Sequence, residues 1–274
     1  MIRLIAFLFS LNLISSESNM PVELSYGDNE LQKVDFYKGT NDKVLVWIHG
    51  GGWLFGNKRA DRWIKRFNKH FPSEDTNVFM IGYRVGKNTS PNAINDVLCA
   101  YKRIEKEVDA LGLSSKDIIV SGASAGGHLA LMLGFADSTN YQSGCLPEHR
   151  PKLIINLFGI TELEQTSIFL DENKFFSSSN YVRSWIPDDI NISEATKKYS
   201  PIYLINEHSP MTLTIHGTAD SWVPFDQALL LNDAMEKKHE LLAIENGGHY
   251  GFSEDENKII RKKIQDFIFL IHNN

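Results

Sequence analysis

The chain has 274 residues, 42% hydrophobic and 23% charged, with 19 Gly and 9 Pro. That composition excludes collagen-like and low-complexity chains, and the length suffices for one large domain burying roughly three quarters of its unfolded surface. With 28 basic against 34 acidic residues the net charge is −6, which leaves no global basic field for nucleic acid or anionic lipid.

The first residues read Met1-Ile2-Arg3, then an apolar run from Leu4 to Ile14, then Ser15-Ser16-Glu17-Ser18. One positive charge, a short apolar core and small residues two apart fit a secretory signal over residues 1–18, cleaved near Asn19. The run is too short to span a bilayer, so no membrane anchor is expected. A signal implies a secreted or periplasmic protein; a start at Met20 would imply a cytoplasmic one. Cys99 and Cys145 permit at most one disulfide and no Cys-based zinc site. Cys99 lies on the apolar stripe of a predicted helix, so reduced, buried cysteines are expected.

From Val22 onward apolar runs alternate with helical patterns. Val22–Tyr26 and Leu31–Tyr37 alternate in polarity around Gly27-Asp28-Asn29, which predicts a hairpin. Val44–His49, Asn77–Tyr83, Asp117–Gly122, Lys152–Phe158, Met211–His216 and Leu241–Glu245 are mostly continuous apolar runs. Continuous runs predict strands buried on both faces of a parallel sheet. Helical patterns fill Ala60–His70, Pro91–Val108, Ser124–Phe135, Pro224–Lys238 and Ser253–Ile271. The expected architecture is α/β, with a mostly parallel sheet, an antiparallel N-terminal hairpin and helices on both faces. One domain over residues 19–274 is expected. Its Ser/Asn-rich, aromatic stretch at about 160–206 reads as an irregular insertion over the carboxyl edge of the sheet, where such folds bind ligands.

Three loops at strand ends carry the chemistry. Gly122-Ala123-Ser124-Ala125-Gly126 joins a strand to a helix, the context in which G-x-S-x-G lifts a serine above the sheet as a nucleophile. His49-Gly50-Gly51-Gly52-Trp53 follows another strand. Glycines there free backbone N–H groups to face a ligand, so Gly51, Gly52 and Ala125 are candidate oxyanion donors. A phosphate loop lacks its Lys-Ser/Thr ending here. Asp220 and His249 follow the last two strands, so the chain order is Ser…Asp…His. A serine needs a base, and the base needs a carboxylate to fix its tautomer. Of the other histidines, His49 is expected to hold its loop, His128 to pack below the site, and His216 to end a strand beneath Asp220. His70, His149, His208, His239 and His272 are expected at the surface. Asp226, the rival acid, falls within the next helix.

On these motifs, spanning about Val44 to Phe252, the chain resembles an α/β-hydrolase of the esterase/lipase group with an HGGGW oxyanion motif. His216-Gly217-Thr218-Ala219-Asp220 followed by Val223-Pro224 is similar to the acid loop of that group. The resemblance implies an α/β-hydrolase fold with Ser124 as nucleophile, Asp220 as acid and His249 as base, and no cofactor or metal. Ala123 stands where the hormone-sensitive-lipase-like branch has Asp, and only a short segment precedes Val44. The pattern instead resembles compact feruloyl- and acetyl-ester hydrolases and kynurenine-formamidase-like enzymes. The expected function is a serine carboxylester hydrolase for small short-acyl or aromatic esters. The alternatives are an arylformamidase with the same machinery, and a non-catalytic binding protein on the same scaffold. Phe169, Phe175, Phe176, Tyr181 and Trp185 of the insertion either wall a substrate pocket beside Trp53, Phe55 and Trp222, or pack the insertion onto the sheet.

Overall fold

Eight strands form one sheet in the computed structural model, which describes residues 20–71, 75–173 and 180–272. In chain order they are β1 (Val22–Ser25), β2 (Lys33–Tyr37), β3 (Val44–Ile48), β4 (Asn77–Ile81), β5 (Ile119–Ala123), β6 (Leu153–Leu157), β7 (Met211–Gly217) and β8 (His239–Ile244). Their spatial order is β1-β2-β4-β3-β5-β6-β7-β8. β1–β2 and β2–β4 pair antiparallel, and every later pair is parallel. The predicted strands are all present, because a strand covered on both faces needs apolar side chains at successive positions.

β3 shows how the sheet separates two cores. Val44, Val46 and Ile48 face a core built with α2 (Asn92–Ala110) and α3 (Ala125–Phe135). Leu45 and Trp47 face the other, where α1 (Asp61–His70) supplies Trp63 and Phe67, and α8 (Glu254–His272) supplies Ile260, Ile264 and Phe267. Side chains alternating at period two thus divide one strand between two helical layers.

The insertion is not irregular. It folds as α4 (Leu163–Glu172), α5 (Tyr181–Trp185) and α6 (Ile192–Tyr199). α5 and α6, of 5 and 8 residues, offer too few turns for a hydrophobic period to emerge, and the buried face of α4 mixes Thr166 and Ser167 with Leu163 and Leu170. Their start signals are local: Glu162 accepts from the Glu164 and Gln165 amides, Asn180 from that of Arg183, and Asn191 from those of Ser193 and Glu194.

The cysteines are also not reduced, since Cys99 and Cys145 form a disulfide. On α2, Val97, Leu98, Ala100 and Tyr101 are buried while Cys99 is only half-buried, on a flank reached by the loop after α3. The bridge closes a separation of 46 residues, for which loop entropy predicts a contribution of up to about 4 kcal/mol. Replacing both cysteines by alanine is therefore expected to cost about 2–4 kcal/mol in urea unfolding of the oxidised protein. Unchanged stability would show that the bridge does not restrain the unfolded chain.

His70 and His239 are buried rather than exposed. His70 Nε2 lies 3.0 Å from Asn257 Oδ1 and ties α1 to α8, while His239 Nε2 lies 2.8 Å from Thr214 Oγ1 between β8 and β7. Polar sequence neighbours concealed these two cross-element bonds. His208 is exposed as expected. The signal segment 1–18, Phe175, Phe176 and the His272 side chain lie outside the described residues.

Register sets where the site is built. Ile48 pairs with Gly122, Ala123 with Leu157, Leu157 with Ile215, and Gly217 with Ile244. The parallel strands end level, so the loops bearing Gly51, Ser124, Asp220 and His249 leave from one edge.

Candidate active site

Ser124 occupies the turn between β5 and α3 at φ 58°, ψ −124°, a strained conformation that costs about 1–3 kcal/mol for a non-glycine residue. Backbone bonds hold it there. Its N–H donates to Leu157 O at 2.9 Å, and its carbonyl accepts from His128 N at 3.0 Å. The flanking glycines are spatial requirements, since a Cβ on Gly122 would run into the Gly126 carbonyl and one on Gly126 into the Ile48 carbonyl.

Asp220 and His249 meet across the ends of β7 and β8. The His249 Nδ1–H donates to Asp220 Oδ2 at 2.7 Å, leaving Nε2 as the free ring nitrogen. Asp220 Oδ1 accepts from the Trp222 and Val223 amides at 2.8 and 3.0 Å. A fourth donor was not assigned from sequence. His216 Nε2 donates to Val223 O at 3.0 Å and lies 3.2 Å from Asp220 Oδ2. Its signal is the four-residue spacing from His216 to Asp220 across a tight turn. Asp226 is the first residue of α7 (Asp226–Met235).

Burial disfavours the Asp220 charge, but the bonds from His216 and His249 outweigh it and hold the carboxyl well below the usual carboxylate range. Burial also lowers the His249 pKa below that of a free imidazole, with the Asp220 bond opposing. A neutral imidazole with a fixed tautomer results.

The glycine run after β3 turns on the Gly51 carbonyl, which accepts from Leu54 N at 3.1 Å and Phe55 N at 3.2 Å. Gly51 sits at φ 124°, where a Cβ would strike the Phe55 carbonyl. Ala125, first residue of α3, is buried beside Ser124. His49 holds this loop as expected. Its Nδ1–H donates to Gly50 O at 2.8 Å and its ring stacks on Tyr83. Burial lowers its pKa to about 4. His128, also lowered to about 4 by burial, donates from Nε2 to Tyr199 O at 2.7 Å and so ties α3 to α6.

Gly51, Gly52, Ser124 and His249 line one cavity of about 480 Å³. Among the described residues the Asp220–His249 bond is closed, whereas Ser124 Oγ makes no hydrogen bond to the ring. Such bonds commonly tighten only when substrate is held. The aromatic residues of the insertion divide between the two expected roles. Tyr181 walls the cavity with Phe55 and Trp222 and donates its hydroxyl to Trp222 O at 2.8 Å. Trp185 packs instead, stacked on the buried Trp53, and Phe169 packs half-buried against the core.

The esterase LipC of Mycobacterium tuberculosis is 28% identical over 218 residues, covering 74% of this chain and 52% of that protein. The isoprenylcysteine alpha-carbonyl methylesterase ICME of Arabidopsis thaliana is 22% identical over 224 residues, covering 77% and 51%. The chain thus spans about half the length of the curated relatives it matches. Among solved structures, a truncated carbohydrate esterase from gut microbiota superposes with a TM-score of 0.74 at 19% identity, covering 94% of this chain and 99% of that one. The propionate-bound esterase Est2 of Thermogutta terrifontis does so at 0.69 and 21%, covering 93% and 96%. These likenesses and the strand order make the fold an α/β-hydrolase fold. The BD-FAE family model matches residues 34–235, and the chain belongs to that family.

Proposed function

We propose that this chain is a serine carboxylester hydrolase with Ser124 as nucleophile, His249 as base and Asp220 as acid. The observation that carries it is the buried Asp220–His249 pair opening into the same cavity as a strained serine. The esterase names of its relatives support the same chemistry. Ser124 Oγ attacks the ester carbonyl while its proton passes to His249 Nε2, and Asp220 stabilises the imidazolium. The N–H groups of Gly51, Gly52 and Ala125 receive the developing oxyanion. His249 then protonates the departing alcohol, leaving an acyl-serine that water cleaves by the same relay.

The substrate is a short-acyl or small aromatic ester. An apolar groove gains about 0.8 kcal/mol for each methylene it buries, and the cavity of about 480 Å³ walled by Phe55, Tyr181 and Trp222 has to house the acyl and alcohol parts of the ester together. The kcat/KM of p-nitrophenyl esters is therefore expected to peak at short chains and fall well before dodecanoyl, without a jump at micelle formation. A peak at decanoyl or longer would make the enzyme a lipase, and faster turnover of N-formylkynurenine would make it a formamidase. We also propose export to an oxidising compartment, supported by the signal-like residues 1–18 and by the Cys99–Cys145 bridge.

A further inference from the structure

Among the described residues, two guanidinium groups stand at the cavity wall without a counter-ion. Arg62 and Arg66 of α1 line the same space as Ser124 and His249. Elsewhere, Arg59, Arg84, Arg103, Arg150 and Arg183 each contact a carboxylate within 4.0 Å, and Arg261 donates to the Lys69 carbonyl. Among the described residues, neither Arg62 nor Arg66 has such a partner. Aromatic rings hold them instead. The Arg66 guanidinium carbon lies 5.2 Å from the ring centres of Trp63 and Phe158 and 5.3 Å from that of Tyr250. That of Arg62 lies 5.5 Å from Trp63 and 5.4 Å from Phe55.

Ring faces attract a guanidinium but accept few of its five in-plane N–H donors. Half-burying Arg66 without an anion, beside a like charge, has a cost visible in its pKa, which burial foremost and then Arg62 push down to about 10. The aromatic cradle fixes the fork, and the donors remain for something that enters the cavity. Planar guanidinium forks match carboxylates.

Position selects the part of the substrate. The Phe158 ring that contacts Arg66 also lies 4.6 Å from the His249 ring, and Tyr250 directly follows His249. His249 delivers its proton to the departing oxygen, so groups beside it meet the alcohol half of the ester. From this geometry we propose that Arg66, assisted by Arg62, binds a carboxylate on the alcohol portion of the substrate, making the enzyme selective for acyl esters of hydroxy acids. The proposal rests on the esterase function proposed for Ser124 and His249.

The test compares kcat/KM for 4-acetoxybenzoate with that for 4-acetoxybenzamide, its uncharged counterpart. It uses the wild type, Arg66→Gln, Arg66→Lys and Arg62→Gln. The charged-to-neutral ratio within each variant cancels changes in the shared acyl-transfer step, and comparison between variants cancels the intrinsic reactivity of the two esters. The ratio is expected to fall about tenfold in Arg66→Gln, less in Arg62→Gln, and least in Arg66→Lys, and added salt should lower it in the wild type. Arg62→Gln, at an exposed helix position, keeps the test decisive if Arg66→Gln fails to fold. A ratio equal in all variants would overturn the proposal and leave Arg66 a packing residue, while Ser124-dependent hydrolysis of the benzamide would still uphold the esterase. Hydrolysis of neither ester by the wild type would overturn both.

Discussion

Ser124→Ala is expected to lower kcat by about 10⁴- to 10⁶-fold while the protein stays folded. Among the described residues its hydroxyl takes part in no hydrogen bond, and the turn is held by main-chain bonds to Leu157 and His128. Alanine keeps that turn and removes only the attacking oxygen. His249→Ala should reach a similar loss, because an unactivated serine hydroxyl is a poor nucleophile at neutral pH. The double variant should be scarcely slower than either single one, since the proposed mechanism has both residues serve one proton-coupled step. Additive losses would separate the two residues mechanistically. Paraoxon should label Ser124 stoichiometrically in the wild type and leave Ser124→Ala unlabelled, as peptide mass mapping would show. His128→Ala is the contrast. It removes the bond to Tyr199 between α3 and α6, so the thermal midpoint should drop far more than the turnover.

The residues of the candidate site were legible because the chemistry proposed for it dictates local sequence. A serine raised above a sheet demands glycines at 122 and 126, where neighbouring carbonyls leave no room for a Cβ. Amides turned toward a ligand demand a backbone such as that at Gly51. Asp220 and His249 were found as the acid and imidazole nearest the ends of the last two strands, and level strand ends bring such positions together without any contact being known in advance. The sheet was legible for a related reason, since burial on both faces leaves little besides apolar residues in β3, β4 and β6.

What escaped the sequence depends on contacts between distant elements. Whether Cys99 faces the core or the loop bearing Cys145 is a matter of a fraction of a helical turn, and only the packing of α2 decides it. His70 and His239 are buried because Asn257 and Thr214 are there to bond them. The insertion helices start at single capping residues and pack on one another, α4 against α5 and α6, contacts that the sequence does not announce. Arg62 and Arg66 look like ordinary surface charges on α1 until Phe158 and Tyr250, from two other segments, are seen beside one of them.

Asp220→Asn tests the support beneath the base, and its expected loss in kcat is about 10⁴-fold near neutral pH. Four donors converge on the carboxylate: His249 Nδ1, His216 Nε2 and the amides of Trp222 and Val223. Asparagine offers one oxygen and brings two donors of its own, so at least one buried N–H loses its acceptor, at about 1–3 kcal/mol. His249 is then free to adopt the tautomer that points a proton at Ser124. The pH dependence separates this account from simple damage. Asp220 raises the His249 pKa against the larger lowering by burial, so removing the charge should move the acid limb of kcat/KM to lower pH even as the plateau collapses. Stability carries its own signature. The Asp220 pKa is depressed in the folded state, so its contribution is present above the ordinary carboxylate value and is lost as pH falls through the depressed one. The stability gap between wild type and Asp220→Asn should therefore widen as pH drops past the His249 pKa, because the variant's imidazole resists protonation further in the folded state, and should narrow only below about 4. An acid limb that moves upward, or a loss of turnover matched by Asp226→Asn, would place the supporting carboxylate elsewhere.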